Sequence, residues 1–175
     1  EVFYIQVQNA QNRAMANAAS TYSFKTEPAH VAEFTDRFPF TLTNSQDTSI
    51  KAILDNFGGN HAMSRLLEGD VGSGKTAVAA TTAYAVATSR PPDGLKGPGD
   101  LSKKTSLANV EFGNLQVAYM APTEILAKQH FESFIEYFQH LPISVGLITG
   151  SGCMKFPSKT DPSKPTKISK AQLLK

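Results

Sequence analysis

Apolar residues recur along this chain at helical spacing, and the breaks between the periodic stretches fall at Gly, Pro and Ser/Thr clusters. Residues 1–20 contain no breaker and place Phe3, Val7, Ala10 and Ala14 on one stripe, which predicts a first helix ending at the Ser/Thr cluster of 20–23. Pro28 suits a first helical turn and opens a short second helix to about residue 37. Phe38-Pro39-Phe40 then forces extended backbone, because the residue before a proline avoids the helical region, and a boundary is expected there. Thr43 and Gln46 have capping-box spacing, and Ile50, Ile53, Leu54 and Phe57 follow on one face until Gly58-Gly59 stops the helix. Residues 75–88 are rich in alanine and free of Gly and Pro, as a helix lying close against a sheet requires. Ala127, Phe131, Phe134, Ile135 and Phe138 mark one face of a further helix over 124–139, with Thr123 as its N-cap.

Between these helices, residues 64–68, 115–120 and 143–148 read as short strands, the second of them buried. Strand, helix, strand, helix, strand in that order predicts an α/β fold with parallel pairing, right-handed crossovers and helices on both faces. Ligands of such sheets gather at the carboxyl ends of the strands, which puts residues 69–76, Pro122-Thr123 and Thr149-Gly150 along one edge. Residues 89–106 hold three prolines and three glycines without periodicity, and 89–114 as a whole reads as a loop insertion. Residues 169–174 look ready to start another helix.

The most specific chemistry lies at Gly69-Asp70-Val71-Gly72-Ser73-Gly74-Lys75-Thr76, which fills every position of the phosphate-cradling P-loop pattern. Triphosphate oxygens need converging N–H donors, and glycines let backbone approach without Cβ atoms in the way. In this pattern Lys75 reaches the β- and γ-phosphates, the Thr76 hydroxyl holds Mg²⁺, and the following helix turns its positive end toward the same anion. ATP and Mg²⁺ are therefore the expected cofactors.

Bulk properties change this picture little. With 175 residues, 41% of them hydrophobic, the chain is long enough for a domain with a core. Its 17 basic and 15 acidic residues create no global field that would demand an anionic partner. The basic excess is local: six lysines and one acid, Asp161, between residues 155 and 175, in a Ser/Pro/Thr-rich run that reads as solvated and mobile rather than as a nucleic-acid contact. The lone cysteine, Cys153, and the scattered histidines give no disulfide and no zinc spacing, and no apolar run suits a bilayer, so a cytoplasmic protein without membrane contact is expected. The chain starts without methionine inside a predicted helix, as a piece of a longer protein would.

Taken together, residues 38–46 (FPFTLTNSQ), 63–76 (MSRLLEGDVGSGKT), 120–130 (MAPTEILAKQH) and 147–151 (LITGS) resemble the bacterial RecG family of ATP-dependent DNA helicases. The resemblance runs from about residue 38 to 151, interrupted by the 89–114 loop, which is longer than is usual for the family. Residues 1–15 are similar to the helix that joins the family's DNA-binding wedge domain to its motor. The resemblance implies a helical linker over 1–37 and part of a RecA-like superfamily 2 motor domain over 38–175. It implies an ATP-driven, monomeric motor that remodels stalled forks and Holliday junctions in repair and recombination. On this sequence it gives Gln46 an adenine contact, Gly69 to Thr76 the phosphates and Mg²⁺, and Pro122, Thr123, Thr149 and Gly150 the DNA backbone.

Each role has a plainer rival in the residues themselves. Gln46 suffices as the partner of Thr43 in the capping box, although a glutamine has two hydrogen-bonding ends and both roles coexist. Thr123 as an N-cap is compatible with a phosphate site at the same helix end. Gln129 and His130 read as solvated surface beside such a site, and Phe131, Phe134 and Phe138 as core rather than as base-stacking platforms. No Asp or Glu after Met120 follows an apolar strand, so the carboxylate that positions water in such motors is missing and the stretch alone is expected to be inactive. The transcription-repair coupling translocases share the layout, but usually carry an aromatic where this chain has Ser73 and Thr-Thr where it has Thr123-Glu124. A non-catalytic nucleotide-binding module is the remaining alternative.

Overall fold

The computed structural model describes residues 2–18, 23, 26–59, 62–89 and 115–173. Their order is α1 (Val2–Ala18), α2 (Pro28–Thr35), α3 (Asn44–Phe57), α4 (Lys75–Thr88), α5 (Glu124–Phe138), β1 (Val145–Thr149), β2 (Gly152–Phe156), β3 (Thr166–Ile168) and α6 (Lys170–Leu173). The chain divides by packing into two units: Glu1–Asp36 with Phe40–Gln116, and Arg37–Pro39 with Val117–Lys175. The loop expected over 89–114 lies outside the described residues apart from Ser89, as does most of the cluster at 20–23.

In the first unit the helices begin and end where the local chemistry directs. Pro28 occupies the first turn of α2. Thr43 and Gln46 complete the capping box of α3: the Gln46 N–H donates to Thr43 Oγ1 at 3.3 Å, and the Thr43 N–H donates to Gln46 Oε1 at 2.8 Å. The core joins Val31, Ile50 and Val78, flanked by Leu42, Ile53, Leu54 and Leu67. The Phe34 and Tyr84 rings stack 4.2 Å apart. Ala77, Ala80, Ala83 and Ala85 are buried on α4, which packs against α2 and α3. Thr81, fully buried, satisfies its hydroxyl on the Ala77 carbonyl at 2.9 Å.

The first helix forms where expected, over Val2–Ala18, with its apolar stripe exposed; Phe3 is 81% exposed. One expectation fails in this unit. Residues 64–68 form no strand, and Leu66 is 90% exposed. Apolar spacing states which side chains favour burial, whereas a strand also needs a neighbour that takes up its N–H and C=O groups. Among the described residues this stretch has no ladder partner.

The second unit packs α5 on one face of a three-stranded sheet ordered β1-β2-β3. Phe131, Leu147 and Phe156 form its core, with Ala127, Ile135, Val145 and Met154 around them. The phenylalanine stripe of α5 is buried at Phe131, Phe134 and Phe138, as helical spacing predicts. Residues 115–120, expected as a buried strand, are neither strand nor buried, with Met120 92% exposed.

The sheet itself departs from the expected topology. Both pairings are antiparallel, with Thr149 opposite Gly152 and Cys153 opposite Ile168, and no parallel pair occurs among the described residues. Gly150 and Ser151 alone join β1 to β2, and so short a link joins only antiparallel neighbours. The Lys/Pro-rich stretch is likewise no mobile tail. It supplies the end of β2, a pinned loop and β3, followed by α6, whose Ser169 and Gln172 cap each other.

Phe156→Ala should lower the stability of the second unit by about 3–5 kcal/mol through the cavity left against Phe131 and Leu147. Glu132→Ala, on the exposed side of α5, should stay within about 0.5 kcal/mol. Urea unfolding followed by tyrosine fluorescence compares the two, and equal effects would refute the assigned core.

Candidate functional site

Residues 69–76 form an exposed loop that rises into the first turn of α4. Gly72 and Gly74 both lie in the left-handed region, at φ 79° and 78°, where a side chain is strained. The Ser73 N–H closes the loop onto the Asp70 carbonyl at 3.1 Å. Lys75 folds its ammonium back over the loop, donating to the carbonyls of Gly69 and Asp70, each at 2.7 Å. The loop is therefore curled around its own lysine, and the first N–H groups of α4, which have no partner within the helix, start at the same place.

The cradle has little room for side chains of its own. A Cβ on Gly69 would meet Ser73 Oγ at 2.7 Å, and one on Gly74 would meet Gln46 Nε2 at 2.2 Å. That second contact exists because Gln46 serves two elements at once. Its Oε1 accepts from Thr43 at the start of α3, while its Nε2 donates to the Ser73 carbonyl at 2.8 Å. Gln46, placed by sequence 27 residues before Ser73, is thus brought onto the loop together with Gly69, Asp70, Val71, Gly72, Gly74, Lys75 and Thr76. Thr76 stands half-buried at the second position of α4, next to the lysine. The donor set fits a polyphosphate: backbone N–H groups at a helix start, one ammonium and one hydroxyl suited to a hard cation.

In the second unit, Pro122, Thr123, Thr149 and Gly150 also come together. Thr123 caps α5 by accepting from the Leu126 N–H at 3.3 Å. The Glu124 carboxylate reaches across to the β1–β2 turn, where the Ser151 hydroxyl donates to it. Lys128, one turn further along α5, donates to the same Oε1 at 2.7 Å. The Thr149 hydroxyl completes the turn, 3.1 Å from Ser151 Oγ and donating to the Gly152 carbonyl at 3.1 Å. The hydrogen bond from Lys128, then that from Ser151, hold the Glu124 carboxyl below its ordinary range. His130 turns inward to meet the Tyr119 ring edge-on at 5.1 Å, so it is less solvated than its helical position suggests. The tie through Glu124 and Ser151 escaped sequence reasoning. Only half of it had a signal, the i,i+4 spacing of Glu124 and Lys128.

Residues 43–173 match the DEAD/DEAH box helicase family. Among curated proteins, the chain is similar to the ATP-dependent DNA helicase RecG of Aquifex aeolicus, 40% identical over 66% of this chain and 12% of that protein. The RecG helicase of Streptococcus pneumoniae is 34% identical over 86% of this chain and 19% of its own length. That of Bacillus subtilis is 39% identical over 67% and 14%. The chain thus spans less than a fifth of each of these relatives. No solved structure matches it.

Gly74→Ala should disturb the loop far more than Gly72→Ala. Both residues have positive φ, but only at Gly74 does a Cβ strike a neighbour; Gly72 has nothing within 4 Å. Gly72→Ala should cost about 1 kcal/mol of backbone strain, with phosphate binding kept. Gly74→Ala should in addition displace Gln46 and weaken triphosphate affinity at least about tenfold, roughly 1.4 kcal/mol. Isothermal titration with a non-hydrolysable ATP analogue separates them; equal losses would refute the Gln46 contact.

Because the Glu124 pKa is depressed, its ionised tie to Ser151 and Lys128 holds above the ordinary carboxylate range and is lost as pH falls through the lowered value. Carboxyl-carbon NMR should find a midpoint below 4.5, and Lys128→Met should move it upward. An unmoved midpoint would show that Lys128 is not the principal cause.

Proposed function

The chain belongs to the DEAD/DEAH box helicase family, and from that premise we propose that it is the ATP-binding part of a RecG-type DNA motor. In this reading residues 1–37 are the linker helices and 38–175 the first part of a RecA-like motor domain with ATP and Mg²⁺ as cofactors. The observation that carries the reading is the hydrogen bond from Gln46 to the Ser73 carbonyl, because it fastens a base-reading amide to a phosphate-binding loop.

The chemistry of Gln46 supports adenine as the base. Its bonds to Thr43 and Ser73 use one lone pair and one N–H, leaving one acceptor and one donor on the amide. Adenine offers the complement, the N6 amine and the N7 lone pair. Lys75, now on the carbonyls of Gly69 and Asp70, would hold β- and γ-phosphate oxygens, and the first N–H groups of α4 would face the same anion. Thr76 would hold Mg²⁺, whose charge offsets that developing on the phosphates. Binding and orientation are the work of these residues. The acids after Met120 sit on α5 or, as Asp161, within the loop between β2 and β3, and none stands directly at a strand end to position water.

The DNA half of the reading draws on the second unit. Thr123 at the helix start and the Thr149-Gly150 turn offer hydroxyls and N–H groups of the kind that position a phosphate backbone without reading bases. Stalled forks and Holliday junctions are the proposed substrates of the whole motor, acting as a monomer in the cytoplasm. No helix among the described residues is long and apolar enough to cross a membrane.

Lys75→Ala tests the reading. In the helicase that carries this chain it should abolish ATP-driven unwinding of a model fork, a loss of at least about a hundredfold, roughly 2.7 kcal/mol of transition-state stabilisation. Binding of the same fork should remain within about twofold. Retained unwinding would refute the phosphate role, and lost DNA binding with intact fold would place Lys75 on the DNA instead.

A further inference from the structure

We propose that the hairpin from β2 to β3, with the start of α6, is a second, sequence-independent contact for the DNA phosphate backbone, made by Lys159, Lys164, Lys167 and Lys170. It rests on the DNA-motor reading and adds a surface to it.

All four lysines are exposed. Among the described residues only Lys164 has a carboxylate within ion-pair reach, Asp161 at 3.6 Å. Asp161 is itself occupied, accepting from the Ser163 N–H at 3.0 Å and the Ser163 hydroxyl at 2.6 Å, which hold its pKa down. Asp161 thus stays ionised and offsets one of the four positive charges, and the other three have no carboxylate within ion-pair reach among the described residues.

The hairpin is also built rather than loose. Ser158 is buried, its N–H donating to the Lys164 carbonyl at 3.1 Å and its hydroxyl 3.0 Å from Thr160 Oγ1. The Lys164 N–H donates to the Asp161 carbonyl at 3.1 Å. Pro157, Pro162 and Pro165 restrict the remaining backbone. Lysines presented on a fixed backbone lose less freedom on binding than lysines on a mobile tail.

Register gives the array its direction. Lys159 and Lys164 lie in the loop beyond Phe156. β3 returns with Lys167 opposite Met154 and Ile168 opposite Cys153. Lys170 thus comes back to the end of the sheet where Thr149 pairs with Gly152. The four lysine positions bracket β2, about 17 Å long for five residues, a length over which one DNA strand presents about five phosphates. A lysine on an edge strand also guards against sheet-edge pairing. That accounts for Lys167, whereas Lys159, Lys164 and Lys170 lie off the strand.

The test measures fluorescence anisotropy of a forked DNA duplex with the wild-type chain and with the variant carrying Lys159→Gln, Lys164→Gln, Lys167→Gln and Lys170→Gln, across a salt series. The log–log salt slope should shrink by about 2–4 and affinity fall at least about tenfold, with binding of the ATP analogue and the melting temperature unchanged. If the fourfold variant folds poorly, the pairs Lys159→Gln/Lys164→Gln and Lys167→Gln/Lys170→Gln should each remove about half of the slope change. An unchanged slope in folded variants overturns the proposal while leaving the motor reading intact. No binding of the fork by the wild-type chain also overturns the proposal, whereas the motor reading stands or falls on Lys75→Ala. Loss of binding to polyglutamate with DNA affinity unchanged would overturn it in favour of an acidic protein partner.

Discussion

The glycine-rich loop before α4 depends on one amide. Gln46 closes the capping box of α3 with its oxygen and holds the Ser73 carbonyl with its nitrogen, so a helix start and a phosphate loop become parts of one hydrogen-bonded assembly. The glycine at 74 follows from that constraint: it must take a left-handed backbone at the foot of α4, and it must leave the space the Gln46 amide occupies. Removing either residue's special property unpicks the other. At Gln46 the side chain that caps α3 and the side chain that shapes the loop are the same.

Across from the loop on α4, small residues do the structural work. Ala77, Ala80, Ala83 and Ala85 bury without steric demand, letting the Phe34 and Tyr84 rings stack and Val78 join the cluster of Val31 and Ile50. A helix of that composition contributes little apolar area per residue, and its compensation is close approach. The second unit uses the opposite means, large aromatics on α5 against a small sheet, with Phe131, Leu147 and Phe156 at the centre. Its candidate DNA-facing end is held by polar groups: Glu124 takes the Ser151 hydroxyl and the Lys128 ammonium, and so links the cap of α5 to the β1–β2 turn. A carboxylate beside a phosphate path would repel it; paired with Lys128, its charge is largely offset.

Much of this was legible in the residues. The capping box at Thr43, the P-loop, the N-cap at Thr123 and the buried face of α5 are local matters, decided within four to eight positions by hydrogen-bonding geometry and helical period. The strands read less well. Residues 64–68 and 115–120 carry the apolar composition of strands and form none, while 152–156 and 166–168 form strands without a strand signal in the sequence, the second of them inside the Ser/Pro/Thr-rich run expected to be mobile. Prolines and lysines made the second group look solvated. A two-residue turn and a buried Ser158 were enough to order it.

The sequence by itself determined the helices, their caps and the glycine-rich loop at the start of α4, because each rests on neighbours a few residues apart. Tertiary structure decided the antiparallel pairing of β1, β2 and β3 and the meeting of Glu124 with Ser151. It decided above all the reach of Gln46 to Ser73, across 27 positions. The physical reason is the same in each case. A backbone ladder or a side-chain bond between distant segments is satisfied only by a partner that folding brings near, and no local period records which partner that will be.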